Sequence, residues 1–292
     1  MPNWNDITEQ VQAAIDQPFE LIDKRPVGGG SINEAWVIGN GRKQYFLKLH
    51  SAYRVDMFIA EAAGLNEIAH SHSVRVPVPI CYGISGNNSF IVMEYLELGH
   101  GDSAAALGRQ LAQMHRTRAR EYGWSRDNTI GSTPQINTWS TDWIGFFGER
   151  RLGYQLGLPG ARGYGRRLQD DGERLIAHLP AFFTDYQPQP SLLHGDLWGG
   201  NYATDSSGAP VIFDPAVYYG DREADIAMTE LFGGFGSRFY DAYNEAWPLD
   251  AGYVVRKTLY NLYHVLNHLN LFGGGYGGQA QSMVSRLLGE LR

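Results

Sequence analysis

Three side chains late in the sequence stand in an order that can do chemistry. Asp196 and Asn201 lie in His194-Gly195-Asp196-Leu197-Trp198-Gly199-Gly200-Asn201, and Asp214 follows in Ile212-Phe213-Asp214-Pro215. The offsets from Asp196 are 5 and 18 residues. Phosphoryl transfer from a nucleoside triphosphate to a hydroxyl needs such a set. One carboxylate orients or deprotonates the attacking hydroxyl, and Asp196 is the candidate. An amide oxygen and a second carboxylate hold Mg²⁺ against the phosphates, which assigns Asn201 and Asp214 as metal ligands. Any one of the three alone could simply cap a turn. Their ordered occurrence is the signal. His194 and Gly195 are expected to set the loop's geometry rather than to bind metal.

The remaining parts of that chemistry have candidates earlier in the chain. The run Gly28-Gly29-Gly30-Ser31 lies between two predicted strands. Glycines there let backbone N–H groups approach phosphate oxygens. Asn33 stands where G-x-G-x-x-G has its third glycine, and no Gly-Lys-Ser/Thr follows, so a plain hairpin turn stays open. Lys48 sits inside the apolar segment Tyr45-Phe46-Leu47-Lys48-Leu49. If it points inward, its ammonium needs an anion. ATP phosphates and a helical glutamate answer that need in kinases. An outward-facing strand lysine is the alternative. Glu61 is the candidate partner, with Glu67 as its rival on the same predicted helix. Met93, Glu94 and Leu96 end a strand that runs into a predicted junction, where backbone groups and apolar side chains could receive adenine. An ordinary core strand explains them equally well.

Positioning elements follow from periodicity. Residues 19–27, 35–38, 44–49, 80–84 and 89–95 read as strands, with Asn40-Gly41 as a hairpin turn. Residues 57–69 read as a helix. Beyond Leu98-Gly99-His100-Gly101 the texture becomes helical, beginning with Ala104, Leu107, Leu111 and Met114 on one face. Residues 139–151, 168–179, 237–246, 254–271 and 281–291 complete the helices, and 272–278 reads as a glycine-rich loop. Strands followed by helices predict an α+β chain in two parts. The boundaries are 1–94 for an ATP-binding N-terminal part, 95–101 for a hinge, and 102–292 for a catalytic and substrate part.

Composition narrows the class. The 292 residues are 43% hydrophobic and 19% charged, enough apolar material for a core. The net charge of −7 argues against a nucleic-acid partner. Cys81 is the only cysteine, so no intrachain disulfide can form. No signal peptide or membrane span is legible, which predicts a cytoplasmic protein without a membrane partner.

At this point the chain resembles the fructosamine kinases, also called ketosamine-3-kinases, over nearly its whole length. The loop from His194 to Asn201 is similar to that family's H-G-D-L-W-x-G-N. The glycine run and Tyr218-Tyr219-Gly220-Asp221-Arg222-Glu223-Ala224-Asp225 also look like it. H-G-D is shared with aminoglycoside and choline kinases, while Trp198 and the Arg-Glu-Ala-Asp run narrow the match. The resemblance implies a bilobal protein-kinase-like fold, with a small antiparallel-sheet N-lobe, a mainly helical C-lobe and ATP between them. It implies phosphorylation of the sugar 3-hydroxyl of a small-molecule or protein-linked ketosamine, with release of the amine. Trp198 then becomes a substrate-facing indole, though a core tryptophan is the other reading. Asp221, Glu223 and Asp225 could orient loops, meet a substrate ammonium, or charge a helix N-terminus. Asp221 replaces the family's usual His. Ser31 stands where some members carry Cys, so a redox switch through that loop is not supported. Two alternatives remain at this level: a kinase for an aminoglycoside, choline or another amino-alcohol, and an inactive nucleotide-binding regulator.

Overall fold

The computed structural model describes residues 2–28 and 32–291. In chain order the elements begin α1 (Trp4–Ile15), β1 (Asp23–Val27), β2 (Glu34–Gly39), β3 (Gln44–Ser51), α2 (Val55–His70), β4 (Pro79–Ser85), β5 (Asn88–Glu94) and α3 (Ala104–His115). They continue β6 (Asn128–Ile130), β7 (Thr133–Gln135), α4 (Trp143–Phe147), α5 (Tyr154–Gly157), α6 (Pro159–Tyr164), α7 (Arg166–Ala177) and β8 (Ser191–Leu193). The last are β9 (Tyr202–Thr204), β10 (Pro210–Ile212), β11 (Tyr218–Gly220), α8 (Glu223–Leu231), α9 (Ser237–Ala246), α10 (Tyr253–Phe272) and α11 (Tyr276–Gly289). Among the described residues no helix is long and apolar enough to cross a membrane. Two compact units result: Met1–Ser103 with Tyr202–Pro215, and Ala104–Asn201 with Ala216–Arg292.

The first unit is built on a five-stranded antiparallel sheet of order β1-β2-β3-β5-β4. Alternation along β3 sends Tyr45, Leu47 and Leu49 to one face and Phe46, Lys48 and His50 to the other. The first set packs with Ile7 and Val11 of α1, and with Phe90 and Val92 of β5. Each such burial contributes about 1.5–3 kcal/mol. Lys48 therefore emerges opposite α1, on the face that its register partner Ile91 shares. The sequence reading missed α1. Trp4, Ile7, Val11 and Ile15 do follow helical spacing, but this stripe is sparse, and Asn3 caps it by accepting from the Asn5 amide.

The single boundary expected at 95–101 does not describe residues 202–215, which return to the first unit. The Gly99 amide donates to Thr204 at 2.8 Å, and the Ile212 amide to the Arg75 carbonyl at 3.0 Å. Arg75 also pairs with Asp205 at 2.5 Å and Glu94 at 2.9 Å. These contacts lie far apart in sequence, so local periodicity could not reveal them.

The second unit is helical around α10, whose residues from Leu259 to Leu266 are buried. Its short ladder β8–β11 sets Leu193 opposite Tyr218 and fixes where the 194–201 loop begins. The helix expected over 139–151 starts later, at Trp143, because Asp142 caps it through the Ile144 and Gly145 amides, both at 3.0 Å. It then widens into a π-helical turn over Gly148–Gly153. That turn carries the fully buried Arg151, whose guanidinium lies 4.2 Å from the Tyr218 ring centroid and donates to Ile136 and Asn137. The glycine loop expected over 272–278 shrinks to 273–275. Gly277 already lies in α11, where the Tyr164 ring leaves no room for a Cβ.

Candidate active site

In the first unit the expected lysine–glutamate pair forms. Lys48 is 6% exposed and its Nζ lies 2.5 Å from Glu61 Oε1. The partner is Glu61, not Glu67. Nζ also bonds Asp214 Oδ1. Burial works against the ammonium, but the Asp214 and Glu61 carboxylates outweigh it and hold its pKa above the ordinary lysine value. Two carboxylates share one ammonium, and burial together with Asp214 pushes the Glu61 pKa up while Lys48 opposes the rise.

Asp214 is also conformationally marked. Its φ is 58°, in the left-handed region, and Pro215 follows. A proline ordinarily restricts the residue before it to extended backbone. A non-glycine residue held this way costs about 1–3 kcal/mol and tends to occur at functional positions. Its side chain is 46% exposed.

The other nucleotide-side candidates divide. Gly29, Gly30 and Ser31 lie outside the described residues. Gly28 follows β1, with open space where a Cβ would stand. Met93 is buried in β5 on the Lys48 face, paired across the ladder with Phe46. Glu94 is more engaged than the sequence suggested: its amide donates to Val78 at 2.8 Å and its carboxylate receives Arg75. Leu96 lies beyond the end of β5, outside any strand. Replacing Lys48 with methionine keeps the apolar stem and removes the charge. Losing a charge-assisted contact is expected to lower kcat/KM for ATP by about 10–100-fold. Initial-rate titrations with ATP check this, and an unchanged value would exclude Lys48 as a nucleotide contact.

In the second unit the 194–201 loop is held by its backbone. Gly195 has φ 82°, and a Cβ there would lie 2.1 Å from the Ala216 carbonyl oxygen. The Ala216 amide donates back to His194 O at 2.8 Å. Only glycine fits that approach. His194 is fully buried, and its Nδ1 accepts from the Asp196 amide at 3.2 Å, so it shapes the loop. Asn201 donates its Nδ2–H to the Asp196 carbonyl at 2.8 Å, which turns its own oxygen away as an acceptor.

The Asp-Arg-Glu-Ala-Asp run does not meet solvent. Asp225 is 1% exposed and accepts from the His194 amide at 2.7 Å and the Gly195 amide at 2.8 Å. His115 Nε2 lies 3.2 Å from the same carboxylate, and its Nδ1 2.8 Å from the Tyr243 hydroxyl. Burial opposes the Asp225 charge, yet these donors hold its pKa below the ordinary value. Asp221 accepts from the Tyr186 and Tyr260 hydroxyls and from the Glu223 amide at the start of α8. Glu223 pairs with Arg256 through both oxygens, at 2.8 and 3.0 Å. Of the roles left open by the sequence, loop orientation belongs to Asp225. All three carboxylates are buried, so a substrate ammonium is not what they meet.

Trp198 is not a core residue, being 39% exposed. Its indole lies over Gly200, where a Cβ would come within 2.3 Å of the ring. The Phe232 ring stands edge-on to it at 6.2 Å. Phe232 in turn lies 5.0 Å from His268, which is 5.1 Å from Tyr276 and 5.5 Å from Phe272. The His268 Nδ1–H donates to the His264 carbonyl at 2.8 Å, leaving Nε2 as an acceptor. Burial keeps this ring below the ordinary histidine pKa. The sequence reading passed over these residues. His268, Phe272 and Tyr276 recur every four residues, and that stripe crosses the glycine run read as a loop.

Among the described residues no cluster of three or more His, Cys, Asp or Glu could hold a metal by itself. Asp214 in the first unit and Asn201 in the second each carry an oxygen of the type Mg²⁺ prefers.

Comparison with known proteins agrees with the geometry. A family model described as fructosamine kinase matches residues 3–290. A probable ketoamine kinase of Synechocystis is 48% identical over 288 residues, covering 98% of this chain and 97% of that protein. A chloroplastic protein-ribulosamine 3-kinase of Oryza sativa subsp. japonica is 45% identical over 271 residues, 91% of this chain and 79% of that protein. The crystal structure named "Putative fructosamine-3-kinase" from Haemophilus somnus superposes with a TM-score of 0.90 at 31% identity, over 98% of this chain and 97% of that one. An aminoglycoside phosphotransferase shares the protein-kinase-like α+β fold at a TM-score of 0.60 and 13% identity, over 98% of both chains.

Proposed function

The chain belongs to the fructosamine kinase family, and from that premise we propose that it transfers the γ-phosphoryl group of ATP to the 3-hydroxyl of a ketosamine, a ribulosamine or fructosamine. The observation that carries this reading is the buried Lys48 shared by Glu61 and the strained Asp214. Such a lysine is built to hold polyphosphate, and such an aspartate to meet a cation.

Each residue then has a task. Lys48, kept in place by Glu61, takes the α/β phosphates, and residues 28–31 lay backbone N–H groups along the triphosphate. Met93, Glu94 and Leu96 receive the adenine, Glu94 through its backbone carbonyl. Asp214 and Asn201 would each give an oxygen to Mg²⁺, which neutralises charge developing on the transferred group. Asp196 aligns the sugar hydroxyl and takes its proton. Trp198 and His268 present an indole face and a nitrogen acceptor to the sugar and its amine. Positioning and electrostatics supply most of the rate.

A phosphate on C3 also explains how the amine is freed. It leaves far more readily than hydroxide. Loss of a C1 proton gives an enaminol that expels phosphate from C3. The resulting C1=N bond is then hydrolysed to release the amine.

A coupled ATP assay over four acceptors tests the proposal. Turnover is expected on a ribulosamine and a fructosamine, and only background on choline and kanamycin. Preferred turnover of choline or kanamycin would assign the neighbouring amino-alcohol kinases. Mg²⁺-dependent ATP binding with no turnover on any acceptor would make the chain a nucleotide-binding regulator.

A further inference from the structure

The ketosamine reading leaves open what carries the sugar, and a second feature of the α10–α11 surface bears on it. A cavity of about 340 Å³ is lined by Leu231, Lys257, Asn261, Gln279, Ser282 and Arg286, among others. Its lining residues neighbour in sequence the aromatic group beside the 194–201 loop. Leu231 precedes Phe232, which lies between Trp198 and His268. Gln279 is one helical turn past Tyr276, which packs on His268. Along α10, Lys257, Asn261 and His268 fall within about 40° of one another at 3.6 residues per turn. Trp198 itself is two residues from Asp196. The cavity and the acceptor carboxylate thus belong to one unit.

Its chemistry is that of a zwitterion receptor. Lys257 is neutralised by Glu230 at 2.6 Å. Arg286 makes no ion pair among the described residues, so the cavity is left with one uncompensated positive charge. That charge suits a single carboxylate, which a guanidinium can bind through two parallel hydrogen bonds. Asn261 is 6% exposed, and its Oδ1 has no hydrogen-bond partner. A buried acceptor in that state is stabilised by an N–H donor. A cation for a carboxylate beside an acceptor for an ammonium is the pattern of an α-amino-acid head.

Resting on the ketosamine-kinase reading, we propose that this cavity binds the zwitterionic head of a free amino acid whose side-chain amine carries the sugar, glycated lysine being the simplest case. The lengths agree. With the substrate amine at His268, five bonds join it to the lysine Cα, roughly 6 Å when extended. From His268 back to Asn261 along α10 is about 10 Å, and the α-ammonium with its hydrogen bond to Asn261 spans the remainder.

The test compares two acceptors that differ only at the head. One is lysine ribulosylated on its ε-amine. The other is the same compound with its α-amine acetylated and its carboxyl converted to an N-methylamide, as in a protein chain. The intact protein is expected to favour the free head by about 10-fold or more in kcat/KM, and Arg286→Gln is expected to bring that ratio close to one. Equal kcat/KM for the two acceptors overturns the proposal while the kinase reading stands. A preference that survives in Arg286→Gln overturns it as well. Turnover of neither acceptor removes the kinase reading, and the proposal with it.

Discussion

Asp196→Ala is expected to lower kcat by about 10²–10⁴-fold, the range typical for removing a positioned general base. ATP affinity and melting temperature should stay near their wild-type values. The reason lies in how the loop is held. Its anchors are the Gly195–Ala216 backbone contact and the Asp225 carboxylate, which receives the His194 and Gly195 amides. The Asp196 side chain is only partly buried, and the strong Asn201 contact goes to its main-chain carbonyl. Truncation therefore removes the carboxylate proposed to align the hydroxyl and spares the frame around it. The nucleotide contact assigned to Lys48, and the Glu61 carboxylate that holds it, belong to other elements, β3 and α2. Steady-state kinetics with a ribulosamine, together with calorimetric titration of ATP, separate the two effects. Turnover close to wild type would show that Asp196 is not the reacting carboxylate.

The candidates were easier to read than their supports. Asp196, Asn201 and Asp214 stand out as candidates because their spacing matches a reaction, and Lys48 because a charge inside an apolar strand demands an anion. The same demand points to Glu61 but does not exclude Glu67, and only the 2.5 Å contact settles the partner. The sheet strands could be read because alternation and turn residues are local signals. What escaped was non-local. Nothing near residues 202–215 announces that they join the first unit. The Asp214 backbone strain is invisible until φ is known. His115 and Tyr243 lie 110 and 18 residues from Asp225, so no window joins them. The helix α1 was missed for a different reason. Four large apolar residues among twelve form a stripe too thin to outweigh its polar neighbours.

The same contrast between local and distant supports assigns the role of Asp225. It lies in the first turn of α8, where a carboxylate is ordinarily a favourable helix-end charge worth a few tenths of a kcal/mol. Here it is fully buried, with two backbone amides and His115 as donors. The chain of groups extends further. Arg222 donates to the Tyr243 hydroxyl at 3.0 Å, which reaches His115 Nδ1 at 2.8 Å. His115 is held below the ordinary histidine pKa chiefly by burial, so the ring is neutral. Its Nε2–H then faces Asp225, and the Tyr243 hydroxyl donates to Nδ1. Every member has a partner, which is the condition under which a buried polar network specifies one geometry.

Asp225→Asn breaks that condition with almost no change in volume. The amide offers one oxygen where two amides and an imidazole had two, and it turns an NH₂ toward groups that are themselves donors. Leaving one buried donor unsatisfied costs about 1–3 kcal/mol. A destabilisation of about 2–4 kcal/mol is therefore expected, which at roughly 2–4 °C per kcal/mol lowers the melting temperature by about 4–16 °C. The sign of its pH dependence follows from the depressed native pKa. The charge-dependent part of the wild-type advantage is complete above the unfolded carboxylate pKa of about 3.9. It is lost as pH falls through the lower folded value. Catalytically, the amides of His194 and Gly195 lose their anchor one and two residues before Asp196. Since a misplacement of about 1 Å can cost 10²-fold, kcat should fall by about that factor while KM for ATP holds. Asp225 touches no substrate, so this split between kcat and KM marks it as a positioning residue. A variant that melts earlier but keeps wild-type kcat at low temperature would reduce Asp225 to a structural carboxylate.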